Sequence, residues 1–271
     1  MHVTEYHSGS TESVLFLHGG NVAGWMWHAQ AEALPGFHAL VPDLPGFGAS
    51  SHIRWTSLEE VVDALAEVIA EQAHGGRAHV VGLSLGGVLG VLLTARHPDL
   101  VRSTFVSGAA IDGVQGFTRA AGLWQLKLWG LASYWRGLAG AFRLPADSVE
   151  QFVVTGLSIH RPSAQRMMTQ VYDGIQDPQL AGLQSANFAV LALAGELEPR
   201  MVRSSLERIT SLVPQSVARL APRMHHVWSG EDPELFHRVL THWLEHAEPS
   251  PELLPVNPEQ SGQGFAPEET A

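Results

Sequence analysis

Residues His79–Gly87 have the sequence HVVGLSLGG, the pattern from which the fold of this chain can be predicted. Two β-branched valines lead into a Gly-x-Ser-x-Gly pattern, and the apolar run Val88–Ala95 that follows is typical of a buried helix. This order predicts a strand, a sharp turn and a helix, with Ser84 exposed at a strained turn and glycines where side chains would collide with backbone. Ser84 is therefore a candidate nucleophile. The alternative is an unreactive serine in a glycine-rich turn.

The composition indicates a compact globular protein. The chain has 271 residues, of which 45% are hydrophobic and 16% are charged, and this length can bury a substantial core. A formal net charge of −11 disfavours nucleic acid and anionic membranes as partners. The absence of cysteine excludes disulfides. The first residues lack the pattern of a secretory signal and the longest apolar run is too short to span a membrane, so we expect a cytoplasmic monomer or homodimer.

Strand and helix patterns alternate over most of the chain. Buried strands are predicted at Ser13–Leu17, His38–Val41 and Val101–Ser107, and an amphipathic helix is predicted at Leu58–Ile69. Strands that alternate with helices predict an α/β fold with a mostly parallel, doubly wound sheet.

The alternation is interrupted once. Residues 112–187 carry many large apolar side chains in helical patterns, which predicts a helical lid inserted into a core domain made of residues 1–111 and 188–247. Residues 248–271 are rich in proline and polar residues, which predicts a flexible C-terminal tail.

Four motifs together resemble the α/β-hydrolase superfamily, over residues 13–246. His18–Gly20 follows the first buried strand, Asp43–Ser50 follows the second, Gly82–Gly86 follows the third, and a late histidine precedes Glu231–Pro233. The resemblance implies an inserted-lid hydrolase that uses a serine nucleophile, an acid and a histidine in that order, with no cofactor.

A serine hydroxyl needs an adjacent base to accept its proton. The family usually places its catalytic histidine five residues before the Glu-x-Pro start of the final helix, and counting back from Glu231 gives His226. His225 competes for this role, and it stands where the family commonly has glycine. Paired histidines, such as these or His242 and His246, could also bind a metal. Because no His-Glu-x-x-His motif or cysteine cluster accompanies them, solvated histidines are favoured and no metal is expected.

The imidazole in turn needs a carboxylate that holds its tautomer. The family normally has an aspartate in a Gly-x-x-Asp turn after the penultimate strand, and this chain has Glu198 at the matching position. A glutamate carboxylate reaches about 1.5 Å further than that of aspartate. Asp112 is the alternative acid, because some members that resemble this chain carry theirs after an earlier strand.

The resemblance also implies an oxyanion hole and an acyl pocket. The backbone N–H groups of Gly20 and Leu85 would stabilise the oxyanion. The predicted lid would lie above the serine turn, because insertions there emerge at the carboxyl edge of the sheet. Trp25, Trp124 and Met167 are the candidate pocket residues, and most other lid aromatics are expected to form the lid's own core.

The leading functional hypothesis is a carboxylesterase in the broad sense, which cleaves a small or medium apolar ester through an acyl-enzyme. Thioesterases, lactonases, carbon–carbon bond hydrolases and lyases share the fold, and the fold alone does not choose among them. A ligand-binding receptor that kept the pocket without catalysis is the alternative from a different class.

Overall fold

An eight-stranded sheet forms the centre of the protein in the computed structural model, which describes residues 1–256. Its strands are β1 (Val3–Tyr6), β2 (Ser13–Leu17), β3 (His38–Pro42), β4 (Ala78–Leu83), β5 (Val101–Ser107), β6 (Val190–Gly195), β7 (Ser216–Ala221) and β8 (Leu254–Pro255). Their order across the sheet is β1-β3-β2-β4-β5-β6-β7-β8. The two edge strands, β1 and β8, are antiparallel to their neighbours, and the six strands between them run parallel. The predicted mostly parallel α/β fold is confirmed.

Helices connect the strands and cover the sheet. The helices are α1 (His28–Glu32), α2 (Leu58–Gln72), α3 (Leu85–Arg96), α4 (Gly116–Trp124), α5 (Ala132–Ala141), α6 (Val149–Ser158), α7 (Arg161–Asp173), α8 (Asp177–Leu180), α9 (Arg200–Leu212), α10 (Trp228–Glu231) and α11 (Pro233–His246). Short 3-10 turns lie at Gly24–Trp27, Gly48–Ser50, His74–Gly76, Pro98–Leu100, Gln125–Leu128 and Ala181–Ser185. Within residues 1–256, no helix is both long enough and apolar enough to cross a bilayer.

The central strands separate two hydrophobic cores. Side chains alternate between the faces of a strand, and in β2 Leu15 and Leu17 enter one core while Val14 and Phe16 enter the other. The first core includes α2 and α3, and the second includes α11. Burial on both faces explains why the sequence of β2 is apolar throughout rather than alternating.

Helix α3 begins directly after Ser84, the candidate nucleophile, and is deeply buried. Every residue from Leu85 to Ala95 is buried, because the helix packs against β4 and β5 at close range. A Cβ atom on Gly90 would lie only 2.9 Å from the Val106 side chain. This packing fixes the N-terminus of α3 at the carboxyl edge of the sheet.

Helices α4 to α8 lie between β5 and β6 in the chain, within the segment predicted as a lid. Trp129, Trp135 and Phe152 are buried there, with the Trp135 ring edge-on to Trp129 at 5.0 Å and to Phe152 at 5.5 Å. Helix α7 is tied to the loop before α2, since the Trp55 indole N–H donates to Gln170 Oε1 at 2.9 Å.

Part of the segment expected to be a flexible tail instead packs on the domain. Leu253 is buried, and β8 pairs with Arg219 and Leu220 of β7. Without β8, β7 would be an edge strand with unpaired backbone groups. The pairing with β8 satisfies them, and composition alone did not reveal this. The remainder of the predicted tail, residues 257–271, lies outside the described residues.

Candidate active site

Ser84 occupies the turn between β4 and α3 with a strained backbone. Its φ is 57° and its ψ is −115°, and residues other than glycine rarely adopt a positive φ. The Ser84 N–H donates to the Ser107 carbonyl at 2.8 Å, which ties the turn to the end of β5. Backbone strain of this kind is characteristic of a functional position.

Two glycines make the turn possible. A Cβ atom on Gly82 would collide with the Gly86 carbonyl, and one on Gly86 would collide with the Leu17 carbonyl of β2. The turn is therefore compressed between the end of β4 and the start of α3 and against β2, and the spacing of the glycines around Ser84 follows from that compression.

His226 and Glu198 form a hydrogen-bonded pair at the same edge of the sheet. Their loops follow β7 and β6, and His226 Nδ1 lies 2.5 Å from Glu198 Oε1. The second carboxylate oxygen accepts the Gly195 N–H at 2.7 Å. The Glu198 side chain is 1% exposed whereas that of His226 is 33% exposed. An ionised carboxylate only accepts, so the pair requires the Nδ1–H tautomer of His226 and leaves Nε2 free to accept a proton.

His225, the competing base, is bonded elsewhere. Its Nδ1 lies 2.9 Å from Glu231 Oε1, and its backbone N–H donates to Glu231 Oε2 at 2.9 Å. Burial alone would raise the pKa of Glu231, but the hydrogen bonds from His225 and the charge of Arg143 lower it below its ordinary value. Glu231 thus stays ionised and holds the backbone immediately before His226.

Asp112, the alternative acid, points to a different helix. Its carboxylate accepts hydrogen bonds from Ser205 and from Arg208, both at 3.1 Å and both on α9. These contacts join the start of the helical insertion to α9. The structure brings Glu198, and not Asp112, to His226.

Gly20 and Leu85 lie side by side next to Ser84. A Cβ atom on Gly20 would be 3.9 Å from the Leu85 side chain, and one on Gly19 would be 3.7 Å from Ser84 Cβ. Leu85 is the first residue of α3, where backbone N–H groups have no partner within the helix. Gly20 and the start of α3 therefore lie close together beside the serine.

His18 holds the loop that carries Gly20. Its Nδ1–H donates to the Gly19 carbonyl at 2.8 Å, and its Nε2 accepts the Leu44 N–H at 3.0 Å. Burial lowers the pKa of His18 to about 4, although the Gly19 carbonyl and the charge of Asp43 oppose this shift. A neutral imidazole therefore joins the two loops that carry the His-Gly-Gly and Asp-Leu-Pro-Gly motifs.

A cavity of about 390 Å³ opens onto the candidate residues. Ser84 and His226 lie in its wall, together with Phe142, Leu144 and Phe152 from the helical insertion. The serine hydroxyl and the imidazole thus share one space with an apolar surface, which is the usual form of a small-molecule site.

The three predicted pocket residues differ in their positions. Trp25 lines the cavity, and its indole N–H donates to Thr155 Oγ1 of α6 at 3.0 Å. Met167 is not among the lining residues but is buried beneath Gly20, where its Cε would be 3.3 Å from an added Cβ. The prediction for Trp124 is wrong, because its side chain is 57% exposed on the outer face of α4. Helical periodicity identified Trp124 as apolar without showing which face was covered.

Gly108 was missed by the sequence analysis. It follows β5 with a φ of +64°, and a Cβ atom there would lie 2.7 Å from His226 Cε1, 2.9 Å from Nδ1 and 3.4 Å from Glu198 Oε1. The imidazole therefore occupies the volume that a side chain would fill. A glycine directly after a predicted parallel strand is the signal that could have identified it.

Comparisons with known proteins identify the family of the chain. A profile of the family described as "alpha/beta hydrolase fold" matches residues 12–227. The chain is 28% identical to an "AB hydrolase superfamily protein" of Gibberella zeae over 88% of this chain and 82% of that protein. It is 30% identical to the pimeloyl-[acyl-carrier protein] methyl ester esterase of Vibrio vulnificus over 78% of this chain and 81% of that protein.

Solved structures show the same fold. A thermophilic esterase from Thermogutta terrifontis superposes with a TM-score of 0.69 at 22% identity, covering 90% of this chain and 92% of that chain. The profile, the relatives and the sheet topology agree: the chain belongs to the α/β-hydrolase fold family, the class of enzymes that its sequence resembles.

Proposed function

We propose that the protein is a serine esterase that cleaves small or medium apolar esters through an acyl-enzyme on Ser84. The observation that carries the proposal is that Ser84 and His226 line one apolar cavity, while the buried Glu198 carboxylate is hydrogen-bonded to the far side of the imidazole. The names of the relatives, among them an ester hydrolase from Vibrio vulnificus, support an ester substrate.

The reaction proceeds in two acyl transfers. His226 Nε2 takes the Ser84 hydroxyl proton as the oxygen attacks the ester carbonyl, and Glu198 stabilises the imidazolium that forms. The tetrahedral intermediate expels the alcohol, which leaves with the proton from His226. A water molecule then attacks the acyl-enzyme and gives a proton to His226. The second tetrahedral intermediate breaks its bond to Ser84 Oγ, which takes that proton back from His226 as the acid is released.

The N–H groups of Gly20 and Leu85 stabilise the oxyanion in both steps. The proximity of Gly20 to Leu85 at the N-terminus of α3 supports this role, since backbone donors held rigidly need no reorganisation when the charge develops. Each such donor is worth about 10²-fold or more in turnover.

Residues 112–187 act as a lid over the site. Phe142, Leu144 and Phe152 at the cavity surface support this role, as does the hydrogen bond from Trp25 to Thr155 that joins α6 to the core domain. A lid that excludes water lowers the local dielectric and strengthens the oxyanion contacts.

A fluorophosphonate probe and p-nitrophenyl butyrate test the proposal. The wild-type protein should be labelled at Ser84 and should release p-nitrophenolate, and Ser84→Ala should abolish both. Ser148→Ala, which removes another hydroxyl from the cavity lining, is the matched control and should retain activity within a few-fold. A folded wild-type protein that neither reacts with the probe nor turns over ester would instead favour the ligand-binding receptor.

A second pair of variants tests the acid. Glu198→Gln keeps the volume but favours the wrong imidazole tautomer, so kcat should fall by about 10²- to 10⁴-fold. Asp112→Asn should be mild, because its partners are Ser205 and Arg208. The reverse ranking in p-nitrophenyl butyrate turnover would assign the acid to Asp112.

A further inference from the structure

The cavity beside Ser84 has no ionised side chain in its wall. Within the described residues 1–256, its lining contains no Asp, Glu, Lys or Arg. The polar groups that do line it are amides, hydroxyls and imidazoles, including Asn21, Gln30 and Gln151. Such groups can hydrogen-bond a neutral substrate, but none supplies a full charge to balance a buried ion.

His28 is the titratable lining residue apart from His226, and burial favours its neutral form. Burial lowers its pKa below the ordinary value, and this outweighs the opposite effects of Asp43 and Glu32. Because burial disfavours the charged form of His28, the imidazole is a poor ion-pair partner for a substrate carboxylate. The Glu198 carboxylate, hydrogen-bonded to His226, has the same charge as a substrate carboxylate and would repel it.

Arg143 is adjacent in sequence to a lining residue, but its side chain is not part of the cavity wall. Arg143 follows Phe142, but its side chain is 60% exposed and its Nη1 lies 3.5 Å from Glu231. A carboxylate that paired with Arg143 would remain in solvent at the rim and would already face the competing charge of Glu231. Arg143 therefore does not stabilise an anionic acyl chain inside the cavity.

We propose that the substrate's acyl group is uncharged along its whole length, and that the cavity discriminates against acyl groups ending in a carboxylate. This inference rests on the proposed esterase function and names the substrate class of the same site. An unpaired carboxylate inside the cavity loses its hydration without compensation, whereas an ester or amide at the same position is accommodated by neutral groups.

Two substrates of matched length test the inference. Mono-p-nitrophenyl adipate carries a terminal carboxylate at pH 7.5, and p-nitrophenyl methyl adipate replaces it with a neutral methyl ester. The wild-type protein should release p-nitrophenolate from the neutral ester with a kcat/KM at least 100-fold higher. Values within fivefold of each other would overturn the inference. If neither ester were hydrolysed, the proposed function itself would fail, which is a distinct outcome.

A pair of variants on helix α6 tests whether the cavity wall causes the discrimination. Gln151 lines the cavity and Val154 lies on the same helix with 59% exposure, so Q151R and V154R add the same charge at different places. Q151R should shift the preference toward the carboxylate ester at least tenfold, and V154R should change it less than twofold. The shift should persist in 0.5 M NaCl, which screens the exposed charges. A preference unmoved by Q151R, or moved equally by V154R, would assign the discrimination to the net charge of −11 and refute the inference.

Discussion

Replacing Gly108 with alanine should lower kcat for p-nitrophenyl butyrate about 100-fold. The added Cβ would lie 2.7 Å from His226 Cε1, whereas ordinary contact begins at 3.4 Å, so the imidazole must move by about 0.7 Å. A displacement approaching 1 Å at a reacting group costs on the order of 10²-fold in rate. KM should change little, because the cavity wall remains in place.

The backbone effect of the substitution needs a separate control. Gly108 has a φ of +64°, and alanine in that region costs roughly 1–2 kcal/mol, which corresponds to a loss of roughly 2–8 °C in Tm. Gly76 has a φ of +65° with no atom within 4 Å of an added Cβ, so Gly76→Ala carries the same strain without the collision.

Gly108→Ala should therefore lose at least as much Tm as Gly76→Ala, because it adds the collision to the backbone strain, and only Gly108→Ala should lose activity. Thermal unfolding followed by circular dichroism gives the first quantity, and initial rates of p-nitrophenolate release give the second. If Gly108→Ala kept kcat within threefold of the wild-type value, or if Gly76→Ala lost as much activity, the contact with His226 would not control turnover.

Two further predictions concern histidines. His226→Ala should reduce kcat by about 10³-fold or more, whereas His225→Ala should cost far less, since its imidazole is bonded to Glu231; equal losses in ester turnover would contradict this distinction. His18 and His79 are each held neutral by burial, with pKa values of about 4 against an ordinary 6.5. Between pH 6.5 and pH 4, these two histidines bind protons in the unfolded chain but not in the folded chain. The free energy of unfolding should therefore fall as the pH drops through this range, by about 2 kcal/mol per histidine at pH 5. Urea unfolding at pH 7 and pH 5 measures the loss, and a His79→Gln variant that lost as much stability as the wild-type protein would contradict the assignment for that residue.

The sequence predicted features that depend on neighbours along the chain. The strand, turn and helix around Ser84 could be predicted because β-branched residues, glycines at fixed spacing and an apolar run each act within a few residues. The alternation of strands and helices predicted the parallel sheet in the same way. Boundaries were close, with the strand expected near Val101–Ser107 found at those residues.

The choice among competing side chains depended on the tertiary structure. His225 and His226 are adjacent in sequence, and only the path of the loop after β7 turns one toward Glu231 and the other toward Glu198. The partners of Asp112 lie on α9, far along the chain, so no local pattern could exclude it as the acid.

Gly108 and the edge strand β8 show the physical reason for this division. The free volume that His226 occupies beside Gly108 is created by strands brought together across the sheet, and the pairing of β8 depends on an unpaired edge at β7. Local sequence determines backbone conformation through short-range sterics and periodic burial. The packing of distant segments against one another decides which side chains share a space. It also decides which face of a helix stays in solvent, as the exposed Trp124 on α4 shows.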